Sequence, residues 1–286
     1  MNTKSILAVA TGGPGDHAMF DTGLAMARPF AARIVALYVK LDPRTAIPMV
    51  GEGMSSTIIA DVMESMERQA ATRARQAKEN FEGWQAERCI GATGPEESQR
   101  SVTADWKEVV GSPAETPASV GRVYDLIVAG RDSDDEPTMA AAIEACLFSS
   151  GRPVLIAPRI APARLGHRIA VFWNGSAQAA RAVGDAITLM ERAEKVTVLD
   201  LGDTSKEVPS ASELIARLQA RGIAASGRSV EPKDGMGTAL LTAAAEDGCD
   251  LVVMGAYGHS RLRQLILGGV TRHMLEHATL PVFMSH

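Results

Sequence analysis

CDLVVMGAYGHSRLRQLILGGVTRHMLEHATLPVFMSH, residues Cys249 to His286, reads as an apolar run, a glycine loop, a helix and a second apolar run. Leu251 to Met254 is short, uniformly apolar and stopped by Gly255 and Gly258, the pattern of a buried strand closed by a tight turn. The helical stretch that follows carries Gly268 and Gly269, and Pro281 to Met284 is the strand it leads to. Such a loop suits an anion. Glycines present backbone N–H groups without Cβ obstruction, and the start of the following helix adds the favourable end of its dipole.

The same order of elements occurs earlier in the chain. Asp125-Leu126-Ile127-Val128-Ala129-Gly130 echoes Asp250-Leu251-Val252-Val253-Met254-Gly255 at an offset of 125 residues, and a loop, a helix and a proline-led strand, Pro153 to Ala157, follow it. Ile6 to Ala10 matches Ile169 to Trp173, and Arg33 to Val39 matches Lys195 to Leu201, at offsets of 162 to 163. The first copy therefore holds about 37 extra residues between its second and fourth strands, a length change that carries little loop-closure penalty. A long helix from Ser55 to Asn80 accommodates them. A duplicated unit accounts for these echoes better than one continuous sheet.

Helical spacing fills in the rest. Asp16 is placed to cap a helix with Met19, Phe20, Gly23, Leu24, Ala27 and Phe30 inward. Ser55 or Ser56 begins the long helix, whose core stripe is Ile58, Ile59, Val62, Met63, Met66, Ala70, Ala74 and Ala77. Phe81 to Arg100 is irregular, readable as a helix end, a short strand or an excursion, and Ser101 to Val110 alternates as a strand. After a linker at Ala157 to Gly166, the second copy places a helix behind Ser176, another behind Ser210 or Ser212, a weak strand at Ala224 to Val230 and a helix at Met236 to Glu246.

The spacing Gly255, two residues, Gly258, nine residues, Gly268, with Asp250 to Gly255 as the strand before it, resembles the nucleotide-binding signature of the universal stress protein family. The resemblance implies an α/β fold: two tandem Rossmann-like open parallel five-stranded sheets with helices on both faces, of the adenine nucleotide alpha hydrolase type, as domains 1–159 and 166–286. It implies ATP or a related adenine nucleotide, with or without Mg2+, in the second domain, and a regulatory role in a stress response with slow or no hydrolysis. Ligands of open parallel sheets sit beyond the carboxyl ends of the strands. The implied site therefore gathers Asn174, Gly175 and Ser176, the main chain of Leu199 to Leu201, and Gly255, Gly258, His259, Ser260, Arg261, Arg263, Gly268, Gly269 and Val270. Two positions depart from the family. Gly269 stands where a Ser or Thr is usual, with Thr271 two residues on, and Asn174 stands where an aspartate is frequent, keeping hydrogen-bonding capacity without charge. Ser176 reads first as a helix cap.

The first copy differs chemically. Arg131-Asp132-Ser133-Asp134-Asp135-Glu136-Pro137 follows its echoed strand, and four carboxylates repel a polyphosphate unless a divalent ion bridges them, so its nucleotide site is read as degenerate. Thr11 to Gly15 has neither Rossmann glycine spacing nor a Walker lysine, and Pro14 removes a donor, which favours an ordinary turn. His273-Met274-Leu275-Glu276-His277 matches the H-x-x-E-H pattern. No acid downstream supplies a third ligand, so a helix with Val270, Met274 and Ala278 inward is preferred, and no metal site is assigned. No nucleophile, base and orienting acid form a set, so no catalytic residue is assigned either. A scaffold protein with decayed sites and a slow ATPase are the alternatives.

The net charge of −5 gives no reason to expect nucleic acid or an anionic membrane as partner. No apolar span of about 20 residues is present for a membrane helix. Cys89, Cys146 and Cys249 share no ligand-like spacing, and free thiols in a reducing cytoplasm are expected. The short apolar strands Pro153 to Ala157 and Pro281 to Met284 are suited to pairing across the duplicate, giving a pseudo-dimer within one chain, with a homodimer of whole chains as a further possibility.

Overall fold

A computed structural model describes residues 3–42, 56–92, 101–131, 137–200, 208–232, 235–258 and 269–286. The first half runs β1 (Ser5–Ala10), α1 (Asp16–Ala27), a 3-10 turn (Arg28–Phe30), β2 (Arg33–Leu41), α2 (Ser56–Glu87), β3 (Thr103–Gly111), α3 (Thr116–Gly121), β4 (Leu126–Gly130), α4 (Pro137–Ser149) and β5 (Val154–Ala157). The second runs β6 (Arg168–Phe172), α5 (Ala177–Asp185), α6 (Ile187–Met190), β7 (Lys195–Asp200), α7 (Ala211–Gln219), β8 (Ala225–Ser229), α8 (Met236–Glu246), β9 (Leu251–Gly255), α9 (Gly269–His277) and β10 (Val282–Ser285).

Strand order is β3-β2-β1-β4-β5-β10-β9-β6-β7-β8. Pairing is parallel within each half. Between β5 and β10 it is antiparallel, with Phe283 opposite Leu155. The duplicated units are thus also hydrogen-bonded into a single ten-stranded sheet, where the sequence set duplication against continuity. Duplication of the order and continuity of the sheet are compatible because the terminal strand of each unit has a free edge to offer.

Parallel strands are covered on both faces, so their sequences are apolar without alternation. Ile6 and Ala8 enter one core layer with Phe20 of α1 and Trp84 of α2, while Leu7 and Val9 enter the other with Ala118 of α3 and Ile143 of α4. The aspartates that open the echoed strands have matching tasks. Asp125 Oδ2 accepts from the N–H groups of Lys4 and Ser5 at 2.8 and 2.9 Å. Asp250 Oδ1 accepts from Gly166 and Arg168 at 2.9 and 3.1 Å. Each carboxylate ties the fourth strand of its half to the start of the first.

Three expectations are corrected. Asp16 is not the cap of α1: Gly15 holds that position without a side-chain bond, and Asp16 is the first helical residue. Its carboxylate turns back to accept from Thr11 and Gly12 N–H at 3.0 and 2.7 Å, because those loop donors lie nearer than the helix's own. The long helix does not end at Asn80 but continues to Glu87, and Phe81 and Trp84 are buried. Its stripe is buried only from Ala74 onward, with Val62, Met63, Met66 and Ala70 half-buried, because Met66 and Ala70 face a cavity at the strand ends rather than packed side chains. Residues 43–55, Ser55 among them, and the acidic run 132–136 lie outside the described residues, as do the side chains of Ile58 and Ile59.

The extra length of α2 closes an aromatic cluster. Trp84 sits 5.1 Å from Phe20 and 5.8 Å from Phe81 between ring centroids. Its Nε1 donates to Asp21 at 2.8 Å, and Arg88 donates to both Asp21 oxygens at 2.8 and 2.7 Å. Burial pushes the Asp21 carboxyl up, but the bonds from Arg88 and Trp84 outweigh it and hold the group below its ordinary value of 3.8. Trp84→Ala is expected to lower unfolding stability by about 3–5 kcal/mol in chemical denaturation. Asp21 contributes stability above its unfolded pKa and loses it as pH falls through the lower folded value. The midpoint difference between wild type and Asp21→Asn should therefore be present at pH 7 and close below about pH 4; a difference independent of pH would contradict the ionised pairing.

Candidate functional site

β6 and β9 are hydrogen-bonded neighbours, Phe172 beside Met254, and the chain leaves them toward opposite faces. Behind β6, α5 packs Ala179 and Val183 into one core layer; beyond β9, α9 packs Met274 into the other. A crevice opens where neighbouring strands diverge in this way, beyond their carboxyl ends. It holds a cavity of about 220 Å³ lined by Phe172, Trp173, Asn174, Leu199, Met236, Leu240, Met254, Gly255, Tyr257, Gly258, Gly269, Val270 and Thr271. Most of that lining is apolar, with Asn174 and Gly258 exposed at its mouth.

Of the residues expected from sequence, Asn174, Leu199, Gly255, Gly258, Gly269 and Val270 meet around this cavity. His259, Ser260, Arg261, Arg263 and Gly268 lie outside the described residues, as does Leu201. Gly175 and Ser176 stand behind the lining. Gly175 has φ +71°, and a Cβ on it would lie 2.7 Å from Val208 Cβ. Ser176 caps α5, its Oγ accepting from Ala179 N–H at 3.2 Å, while Asn174 Oδ1 accepts from Ser176 N–H at 3.1 Å. The Leu199 carbonyl already accepts from Trp173 N–H at 2.9 Å, so Leu199 meets the cavity after its main chain has found a partner.

The two signature glycines differ in what they do. A Cβ on Gly255 would lie 2.4 Å from Ala179 N and 2.6 Å from the Gln178 carbonyl carbon, so this glycine is required for the start of α5 to approach β9. A Cβ on Gly258 would meet side-chain atoms alone among its nearest neighbours, Ser176 Oγ at 3.3 Å, Ser176 Cβ at 3.5 Å and Asn174 Nδ2 at 3.6 Å, a looser fit than at Gly255. Between them, Tyr257 adopts φ +58°, a left-handed conformation rare outside glycine. Its N–H donates to Thr271 Oγ1 at 3.3 Å, so the hydroxyl two residues beyond Gly269 holds the loop to α9. Burial, aided by the Glu144 carboxylate, pushes the Tyr257 phenol up to about 12, and it stays a neutral hydroxyl.

Trp173, Met236, Leu240 and Tyr257 join the site without having been singled out in sequence. Apolar residues at strand ends and helix starts look like core until the crevice between them is visible. Tyr257 carried one signal, its place between Gly255 and Gly258. Trp173 is oriented by donating Nε1–H to the Pro209 carbonyl at 2.9 Å.

The first half keeps a cavity at the matching position. It measures about 300 Å³ and is lined by residues including Val9, Thr11, Tyr38, Met66, Arg73 and Met139. The loop donors beside it are occupied, because buried Asp16 takes the N–H groups of Thr11 and Gly12 together with the Thr11 hydroxyl. Gly12, at φ +82°, lies under α2, where a Cβ would come within 3.1 Å of Ala77 Cβ. A loop whose Thr11 and Gly12 N–H groups already hold a carboxylate withholds those donors from a phosphate and sets a negative charge beside it.

The H-x-x-E-H histidines lie on one side of α9, His277 exposed and His273 half-buried against α8, their rings stacked at 4.4 Å. His273 Nε2 is 3.4 Å from Thr238 Oγ1, and His277 Nδ1 is 3.3 Å from the His273 carbonyl. Burial, then the neighbouring His277, lowers the His273 pKa. Among the described residues no group of three or more His, Cys, Asp or Glu is placed to hold a metal, and no helix is long and apolar enough to cross a membrane.

The distinct roles of the glycines can be separated by substitution. Gly255→Ala should destabilise the protein by about 1–3 kcal/mol through overpacking against α5, read as a lowered Tm. Gly258→Ala should leave Tm near that of wild type. Equal Tm values for the two variants would contradict the close approach at Gly255.

Comparison with known proteins agrees with this geometry. Residues 166–286 match the family model described as the universal stress protein family. A universal stress protein from Archaeoglobus fulgidus DSM 4304 superposes with TM-score 0.67 at 16% identity, covering 100% of this chain and 99% of that one. A protein assigned to the universal stress proteins from Pseudomonas aeruginosa UCBPP-PA14 gives 0.51 at 14%, covering 99% and 93%. A functionally unknown protein from Pseudomonas aeruginosa PAO1 gives 0.53 at 14%, covering 99% and 92%. A universal stress protein solved in complex with cAMP aligns at 13% identity over 55% of this chain and 98% of its own, with TM-score 0.31; the nucleotide belongs to that protein. Among curated proteins no sequence matches the chain. Residues 166–286 therefore match the universal stress protein family model, and the whole chain has the fold of the Archaeoglobus fulgidus universal stress protein.

Proposed function

We propose that the second half binds an adenine nucleotide, ATP or a close relative, and that binding with slow or no hydrolysis is its contribution to a stress response. The observation that carries the reading is the crevice between β6 and β9, whose cavity opens directly on Gly258 and on the first residues of α9. Its volume of about 220 Å³ lies below the roughly 300–1,000 Å³ of pockets that enclose a whole ligand. The apolar floor suits a base and ribose. The phosphates then belong at the exposed edge, where Gly258 and the start of α9 offer N–H groups and a helix dipole. Asn174 at the mouth suits a ribose hydroxyl, as donor or acceptor. With no carboxylate cluster among the described residues, Mg2+ would enter held by the phosphates and water, the usual manner for this ion.

Division into units 1–159 and 166–286, pairing as a pseudo-dimer within one chain, belongs to the same reading, as does a cytoplasmic location. The β5 to β10 ladder supports the pairing, and three unpaired thiols suit a reducing compartment. A second reading, a scaffold without nucleotide, is favoured by one observation: Gly255, part of the signature, is fully accounted for by packing against α5.

Calorimetric titration with ATP and Mg2+ separates the two. One site per chain is expected, with a rise in thermal stability equivalent to about 2.7 kcal/mol when ligand stands at a hundred times Kd. Gly258→Val, which sets a branched side chain beside Asn174 and Ser176 at the mouth of the crevice, should remove that heat while the variant remains folded. Absence of heat and of any thermal shift at millimolar ATP rejects nucleotide binding. Product analysis after hours of incubation then measures turnover, for which slow or undetectable ADP release is expected.

A further inference from the structure

Two side chains of the first half reach the loop and the helix that frame the second half's crevice. Phe148, in the last turn of α4, is a large apolar side chain left 40% exposed. Its ring lies 4.7 Å from Tyr257 and 4.4 Å from His286, edge-on to the latter. His286 Nδ1 in turn lies 3.0 Å from the Ala256 carbonyl, so the ring cluster grips both residues between the signature glycines. Tyr257 is the residue whose left-handed φ needs support from outside, because such a conformation persists only where surrounding contacts hold it.

Arg131 is the second. It follows Gly130 at the end of β4, and its guanidinium crosses to α9, donating to the carbonyls of Met274 at 3.3 Å, Leu275 at 3.5 Å and Ala278. Those acceptors belong to the last turn of the helix and its end, where a cation is favoured, and the Met274 carbonyl also accepts from Ala278 N–H at 3.2 Å. No carboxylate pairs with Arg131 among the described residues. Burial, with Arg159 nearby, lowers its pKa to about 10, still cationic at neutral pH. Gly269, Val270 and Thr271 at the other end of the same helix line the crevice.

We infer that the first half is a built-in positioning element for the second half's site: Phe148 holds the Tyr257 loop and Arg131 anchors the far end of α9. The inference rests on the nucleotide reading only for its consequence on affinity. Holding the loop and the helix start before ligand arrives means that less ordering is left to binding, which raises affinity without any contact to ligand. Phe148 and Arg131 are positioning residues and touch no ligand in this arrangement.

The test uses the full chain carrying Arg131→Met, Phe148→Ala or both, with Phe148→Tyr as the conservative variant and Val123→Ala, at an exposed residue outside the crevice lining, as control. Amide exchange of ligand-free protein is measured beside ATP affinity. In the double variant, exchange of residues 256–258 and 269–277 should quicken about tenfold while β1 to β3 stay unchanged, and ATP affinity should fall by about tenfold. Phe148→Tyr and Val123→Ala should match wild type. Unchanged exchange at the loop and α9, or exchange quickened evenly through the chain, overturns the inference. Local quickening with wild-type affinity overturns it as well, since the site would then be indifferent to the support. If wild type itself binds no ATP, the nucleotide reading fails separately and the exchange pattern alone decides whether the first half holds the loop.

Discussion

The antiparallel ladder between β5 and β10 is the interaction on which the arrangement depends. Each strand has four residues, all buried, and as a terminal strand each would otherwise present an apolar edge with unpaired N–H and C=O groups. Such edges recruit other chains. Pairing them with each other satisfies both at once and brings the carboxyl end of β4 within reach of the α9 end, which a flexible linkage would not. The contacts of Arg131 and Phe148 follow from that registration.

Within this frame the two halves repeat one order of strands and differ in their loops. Asp125 and Asp250 do equivalent work at equivalent positions, a constraint on strand register that ligand chemistry does not touch. The loops after the first strands do not match. In the first copy Asp16 internalises a carboxylate and saturates the turn, and α2 lies over Gly12. In the second, Asn174 and Ser176 satisfy each other and the cap of α5, leaving the crevice beside them open. A cavity survives in both, but in the first the turn beside it encloses a carboxylate, whereas in the second the matching strand end carries neutral Asn174.

The signature glycines illustrate how one motif serves two physical ends. Gly255 is needed because backbone meets backbone at the start of α5, and Gly258 lies exposed at the mouth of the crevice beside Ser176 and Asn174. Tyr257 between them adopts a conformation that favours glycine, with support from Thr271 on one side and an aromatic cluster on the other. Thr271 thus supplies a hydroxyl near the position where the family's Ser or Thr is missing, though here it bonds the loop.

Much of this was legible in the chain itself. Uniformly apolar strands such as Leu126 to Ala129 require a sheet covered on both faces, helices of amphipathic spacing supply the cover, and offsets of 125 and 162 residues declare a repeat. The strand ends and the glycine spacing therefore located the crevice, and Asn174, Gly258 and Val270 fell beside it. Tertiary structure alone decided the rest. Whether Asp16 caps a helix or closes a loop, whether Phe81 and Trp84 end a helix in solvent or seal a core, and whether Gly255 faces a ligand or a neighbouring helix all depend on distances between segments far apart in sequence. Local pattern determines which face of an element is apolar; only packing decides which atoms that face meets.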